Sequence, residues 1–147
     1  MHAYLPATRS AASRVARRLA IGLLVLQGIG AVGGGIALML GPQGEIIPLP
    51  LSQLAGSPFD SYFIPGFVLF TVLGTGPLAV AFLAWRRHVL SPVLTLLVGS
   101  ALLIWIGVQV AIIGYSTEPM PLQAIYLGLG AILLALGAWW MRSEHVS

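Results

Sequence analysis

Seven arginines stand at one set of ends of four uncharged apolar runs, and this arrangement limits the fold more than any other feature of the chain. Arg9, Arg14, Arg17 and Arg18 precede the first run, Arg86 and Arg87 separate the second from the third, and Arg142 follows the fourth. The runs cover about 19–40, 62–85, 92–114 and 121–140. At a helical rise of about 1.5 Å, about 20 residues cross a hydrocarbon core of about 30 Å, and each run reaches that length. A lone strand would leave its backbone unsatisfied in lipid, and no period-2 alternation is present, so the runs read as helices. The expected architecture is all-α: one domain over residues 1–147, an antiparallel four-helix transmembrane bundle with an apolar, partly structured first outer loop.

Glu45, Asp60 and Glu118 lie at the opposite ends from the arginines. The positive-inside rule then places both termini in the cytoplasm. With 58% hydrophobic and 7% charged residues the chain cannot present a soluble surface, which needs roughly a quarter of its residues charged. A multi-pass location in an inner or plasma membrane is expected, and the use of arginine without lysine hints at a GC-rich bacterial source. The net charge of +3 sits at membrane edges, where it sets topology and meets anionic lipid, and no basic face suited to nucleic acid is present. Trp85, Trp139 and Trp140 beside the arginines, with Tyr62 and Tyr115 at the other interface, read as aromatic belts. The acid-free N-terminal stretch is weighed as a secretory or twin-arginine signal. The apolar run of about 22 residues is longer than a signal's core, no A-x-A site follows Leu40, and a retained helix is the preferred reading.

The first outer loop, Gly41 to Ser61, carries Pro42, Pro48, Pro50 and Pro58 together with Ile46, Ile47, Leu49, Leu51, Leu54 and Phe59. A loop that apolar is expected to lie over the helix ends, with a short helical turn over Leu51 to Gly56 capped by Ser52. Asp60 or Ser61 is the expected cap of the second helix. Ser91-Pro92 offers an N-cap followed by proline at the first helical position, and Pro121 can serve the first turn of the fourth helix. Ser116 to Met120 is too short for more than a connector.

Several constellations have a packing reading and a functional one. Gly30 and Gly34 form a G-x-x-x-G pair, extended by Gly22 and Gly28, and imply close helix approach. Packing inside the bundle is preferred over a dimerisation face, because three partner helices are already in the chain. Ala124 with Gly128, and Ala131 with Ala135, give the fourth run a similar face. Pro77 after Gly74 and Gly76 predicts a kink near Gly74, static in one reading and a hinge in the other. Gln27, Gln109 and Gln123 are either hydrogen-bonding glue between helices or the lining of a polar path. Glue is preferred, since no ionisable residue stands at mid-span to drive a transport cycle.

The chain has no cysteine, which excludes disulfides, thiolate catalysis and cysteine-ligated metals. His2, His88 and His145 fall on three separate segments, so no zinc site is expected, and no cofactor is implied. Glu45, Asp60 and Glu118 could gather above the bundle to hold a cation or act as acid and base, with Tyr62 beside them, but solvated loop charges are the plainer reading. No G-x-S-x-G, P-loop or H-E-x-x-H motif is present, and the chain reads as no enzyme.

The run Leu49-Pro50-Leu51-Ser52, followed by Gly56-Ser57-Pro58-Phe59-Asp60-Ser61-Tyr62-Phe63-Ile64-Pro65-Gly66, resembles a stretch found in a family of small bacterial four-helix integral membrane proteins. The resemblance implies the same four-span layout with this loop as its distinctive part, and implies no activity or ligand-binding residue. The expected function is therefore non-enzymatic: a binding or accessory subunit for membrane lipid or for another membrane protein, including a second copy of the chain. The alternative is a small carrier or channel subunit, with Pro77 as hinge and the three glutamines along the path.

Overall fold

The computed structural model describes residues 4–47, 51–55, 57–114 and 122–145. Among them the regular elements are all helical: α1 (Tyr4–Leu40), a 3-10 turn (Leu51–Leu54), α2 (Phe63–Phe70), a π turn (Thr71–Thr75), α3 (Gly76–Trp85), α4 (Ser91–Ile113) and α5 (Leu122–His145). The π turn joins α2 to α3 as one rod, so four rods result, each long and apolar enough to cross a membrane. Glu118, Tyr115, Pro121, His2, the second loop and residues 48–50 of the first lie outside the described residues.

At most 33% of any span is buried inside the protein. Leu26, Ile29, Phe67 and Ile104 accordingly point outward. Water does not tolerate exposed apolar area on this scale, whereas lipid matches it. The first helix begins at Tyr4, ahead of the apolar run, because the Ala- and Arg-rich stretch before Leu19 has high helix propensity.

Glycine sets the closest approaches between rods. A Cβ built at Gly35 would stand 2.7 Å from the backbone oxygen of Gly66 and from the nitrogen of Phe70, and one at Gly99 would stand 2.6 Å from the nitrogen of Leu134. Gly28 and Gly74 are equally tight in the seam of α1 with the α2–α3 rod, and Gly137 in the seam of α4 with α5. In lipid, where burial of apolar surface gives no drive between helices, such backbone approach is the main source of association.

The two ends of the bundle are built differently. At the arginine end Ala16, Ala20 and Leu24 of α1 pack with Ala81 and Ala84 of α3 and with Leu133, Leu136 and Trp140 of α5. Trp140 is only 2% exposed, so it is a core residue rather than a belt residue, while Trp85 and Trp139 do face outward. At the loop end, among the described residues, α2 lies close along α1 while its backbone stands off from α4 and α5. The gap between α2 and α4 is covered by the 3-10 turn, which packs on α4 and sets Leu54 against Leu38 and Tyr62. The loop closes on itself where the Tyr62 amide donates to the Pro42 carbonyl at 2.8 Å.

Two expected caps fall elsewhere. The N-cap of α4 is Leu90, whose amide donates to His88 Nδ1 at 3.1 Å, and Ser91 is the first helical residue with its hydroxyl buried. The N-cap of α2 is Tyr62, with the Phe63 amide donating to Ser61 Oγ at 3.3 Å.

Candidate functional site

Gln27 of α1, Gln109 of α4 and Gln123 of α5 come together on one cavity of about 170 Å³ in the loop-end half of the bundle. Gly30 and Gly34 line it from α1, Leu69 and Leu73 from the α2–α3 rod, and Trp105 and Tyr126 from α4 and α5. The small residues at 30 and 34 thus leave space where side chains would otherwise fill the bundle. A Cβ at Gly30 would meet only the Tyr126 hydroxyl, at 3.5 Å, and one at Gly34 only Leu69 Cδ2, at 3.4 Å. Gly22 meets nothing within 4 Å and belongs to the outer surface.

The amide orientations follow from what each can reach. Gln27 is 2% exposed, and its Nε2 donates to the Leu73 carbonyl at 3.3 Å. That carbonyl is the one an α-helix would pair with the amide of residue 77, and proline has no hydrogen to give. The sequence-predicted hinge and one predicted polar residue therefore meet at a single atom. The threonines of the π turn beside Pro77 bond back onto carbonyls that also accept backbone amides: Thr75 Oγ1 donates to the Thr71 carbonyl at 2.7 Å, and Thr71 Oγ1 to the Phe67 carbonyl at 2.8 Å. Because a carbonyl only accepts, Gln27 must turn its nitrogen to Leu73 and its oxygen away. Gln27 Oε1 is buried without a hydrogen-bond partner in the protein, a condition that costs about 1–3 kcal/mol.

Gln123 Nε2 donates to the Gly114 carbonyl at 3.2 Å and to Gln109 Oε1 at 3.4 Å. Gln109 is thereby left with its amide nitrogen as donor. The cavity presents an acceptor at Gln27, a donor at Gln109 and the amphiprotic hydroxyl of Tyr126, with no charged side chain in its lining.

A second cavity of about 140 Å³ adjoins it and shares Leu69, Trp105 and Gln109. Its lining is otherwise almost wholly apolar, with Leu38, Leu54, Phe59 and Ile112 among the residues around it and Tyr62 at the loop edge. A polar chamber inside the bundle thus shares walls with an apolar one beneath the first loop.

Of the loop carboxylates, Glu45 and Asp60 fall among the described residues and Glu118 lies outside them. Glu45 Oε2 accepts the Gln43 amide at 3.3 Å within its own turn, and both Glu45 and Asp60 are exposed. Among the described residues no three His, Asp or Glu side chains come together as a metal site would require.

Tyr126 and Trp105 were not singled out by sequence, although spacing marks them. Tyr126 follows Gln123 by three residues and Trp105 precedes Gln109 by four, so each shares a helix face with a glutamine. Comparison with protein-family models, curated proteins and solved structures finds no match to the chain. Its function is read from this geometry.

Proposed function

We propose that the chain is a non-enzymatic, multi-pass membrane protein of an inner or plasma membrane, an antiparallel bundle with cytoplasmic termini, that binds a neutral amphiphile. The uncharged head, carrying a hydroxyl or amide hydrogen beside a carbonyl, seats among Gln27, Gln109 and Tyr126, and its hydrocarbon part occupies the chamber under the first loop. One observation carries this reading: the buried, unpartnered Gln27 Oε1 belongs to a glutamine-lined cavity that shares walls with an apolar one. A ligand hydrogen at that oxygen would satisfy the amide, and exclusion of charge from the lining selects against ionic heads.

The test is photo-cross-linking of the purified protein in phosphatidylcholine nanodiscs with a photoreactive diacylglycerol. Labelled peptides should contain Leu69, Trp105 or Gln109, and Gly30→Leu, which fills the polar chamber, should abolish the label while Gly30→Ala retains it. Equal labelling of Gly30→Leu and the parent, or labels confined to the outer faces, would overturn the reading.

The carrier alternative has one observation in its favour, the π turn that supplies Leu73 to the wall of the same cavity and is followed by Pro77. Against it stands the packed arginine-end core around Leu24 and Trp140, which would have to part before any solute could pass. Binding without passage is the simpler use of a chamber closed at one end.

A further inference from the structure

At the arginine end a cavity of about 350 Å³ is lined by Arg14 and Arg17 of α1, by Arg87 and His88 of the turn between α3 and α4, and by Trp140 and Glu144 of α5. Its volume falls in the range of small-ligand pockets. Three guanidinium groups face one carboxylate there, so the lining is net cationic. That carboxylate is already engaged: Glu144 Oε1 accepts from Trp140 Nε1 and from Ser13 Oγ, each at 3.0 Å.

Topology alone asks only that arginines lie on one side, not that they converge. Arg86 does not join this cavity and lies over the Phe82 ring instead, 5.8 Å from its centroid. Arg87 is brought in by a costly backbone conformation, with φ at 58°. The turn is a Schellman motif: His88 N–H donates to the Leu83 carbonyl at 2.8 Å and Arg87 N–H to the Ala84 carbonyl at 3.1 Å. Glycine is the usual residue at that position, since any Cβ there is strained. An arginine in its place is accounted for by what its side chain does. Arg17 is tied to the same turn, its Nη1 lying 3.5 Å from the Ala84 carbonyl. His88 Nδ1 accepts the Leu90 amide at 3.1 Å, which leaves Nε2 to carry a hydrogen.

We infer that Arg14, Arg17, Arg87 and His88 form a binding site for a phosphate group at the membrane surface. Guanidinium forks match phosphate oxygens in pairs, and the imidazole adds one donor at Nε2. Outward-facing Trp85 and Trp139 mark the same end as the headgroup level, where phosphodiesters and phosphomonoesters of lipids are found. The phosphate comes from an anionic phospholipid or from a soluble phosphate compound, and the chemistry at the arginines is the same for both.

The experiment uses the full chain in nanodiscs of phosphatidylcholine, with and without phosphatidic acid, and reads retained lipid by native mass spectrometry and phosphate contact by ³¹P line broadening. Arg87→Gly removes the guanidinium while keeping the left-handed backbone that glycine prefers, so the variant folds; Arg86→Gln is the control. Arg87→Gly should lower phosphate-dependent binding about tenfold and Arg86→Gln should leave it within about twofold. Retention of phosphatidic acid with no competition by inorganic phosphate supports the site with a lipid as its source. Broadening of inorganic phosphate in pure phosphatidylcholine, without preference for phosphatidic acid, supports it with a soluble source. Equal losses in the two variants, or no phosphate-dependent signal in the parent protein, would overturn it.

Discussion

The arginine-end and loop-end halves of the bundle use the same alphabet of Leu, Ala and Gly to opposite effect. In the first, alanines at 16, 20, 81 and 84 let the helices close until Leu24 and Leu133 are fully buried and Trp140 nearly so. In the second, α2 leaves α4, glycines at 30 and 34 open onto space, and amides replace leucines on the facing surfaces. Small residues close a bundle when they lie in the seam and open it when they lie beside the seam. The phase of a glycine on its helix, rather than its presence, decides between packing and cavity.

Substitutions in the seam should break this contrast most severely. Gly35→Val places a side chain against the backbone of Gly66 and Phe70, which cannot rotate away, and should destabilise the protein by about 3 kcal/mol in reversible detergent unfolding. Gly22→Val, with no neighbour within 4 Å, should be close to neutral in the same measurement. An equal cost at both positions would mean that lipid-facing glycines matter as much as the seam. Next in size, Leu24→Ala should cost about 2 kcal/mol. Its lost term is close contact and a residual void rather than transfer from water, because the alternative surroundings are also apolar. Leu54→Ala, at the edge of the open half, should cost about half as much. If the order reversed, the closed half would not be the stabilising one.

Much of this was legible in the sequence. Four uncharged runs of spanning length leave no alternative to helices in lipid, and the density of small residues announced close packing. The choice of Gly28 and Gly35 over Gly30 and Gly34 was not legible, because a seam depends on crossing geometry between rods. The exposure of Trp139 and burial of Trp140 could have been anticipated in part: neighbours on a helix point about 100° apart, so both cannot serve one narrow belt. The three glutamines could be named as polar residues in apolar spans, but their convergence depends on the rotation of α1, α4 and α5 about their axes. Glu144 joins Trp140 across one helical turn, a spacing visible in the sequence, while Ser13 reaches the pair only through the fold. Arg87 carried no sign of a left-handed backbone, since arginine is a poor marker for it.

The link between Gln27 and Pro77 gives a sharper test of how the open half is held. Gln27→Leu strands the Leu73 carbonyl but also removes the unsatisfied Oε1, so it should be close to neutral in the parent chain. In a Pro77→Ala background residue 77 regains its amide hydrogen and can serve that carbonyl from within the helix. The same Gln27→Leu change should then stabilise the protein by about 1 kcal/mol, giving a coupling of about 1 kcal/mol in a double-mutant cycle. Additive effects would show that Gln27 acts on the bundle by packing alone, and that the proline and the amide are not linked through the Leu73 carbonyl.

The smallest expected effect has the opposite sign. Arg87 holds φ at 58°, in a turn whose two backbone hydrogen bonds do not involve its side chain. A left-handed conformation costs a non-glycine residue about 1–2 kcal/mol, and glycine returns part of that gain as greater freedom in the unfolded chain. Arg87→Gly should therefore raise stability by about 0.5 kcal/mol in phosphate-free detergent, and removal of one guanidinium from a crowded cationic lining acts in the same direction. With phosphatidic acid present the ordering should invert, because a ligand that binds only the folded protein stabilises the parent chain and scarcely stabilises the variant. A variant less stable than the parent in both media would mean that the Arg87 side chain serves the fold itself, and the closed half would owe part of its rigidity to charge rather than to packing.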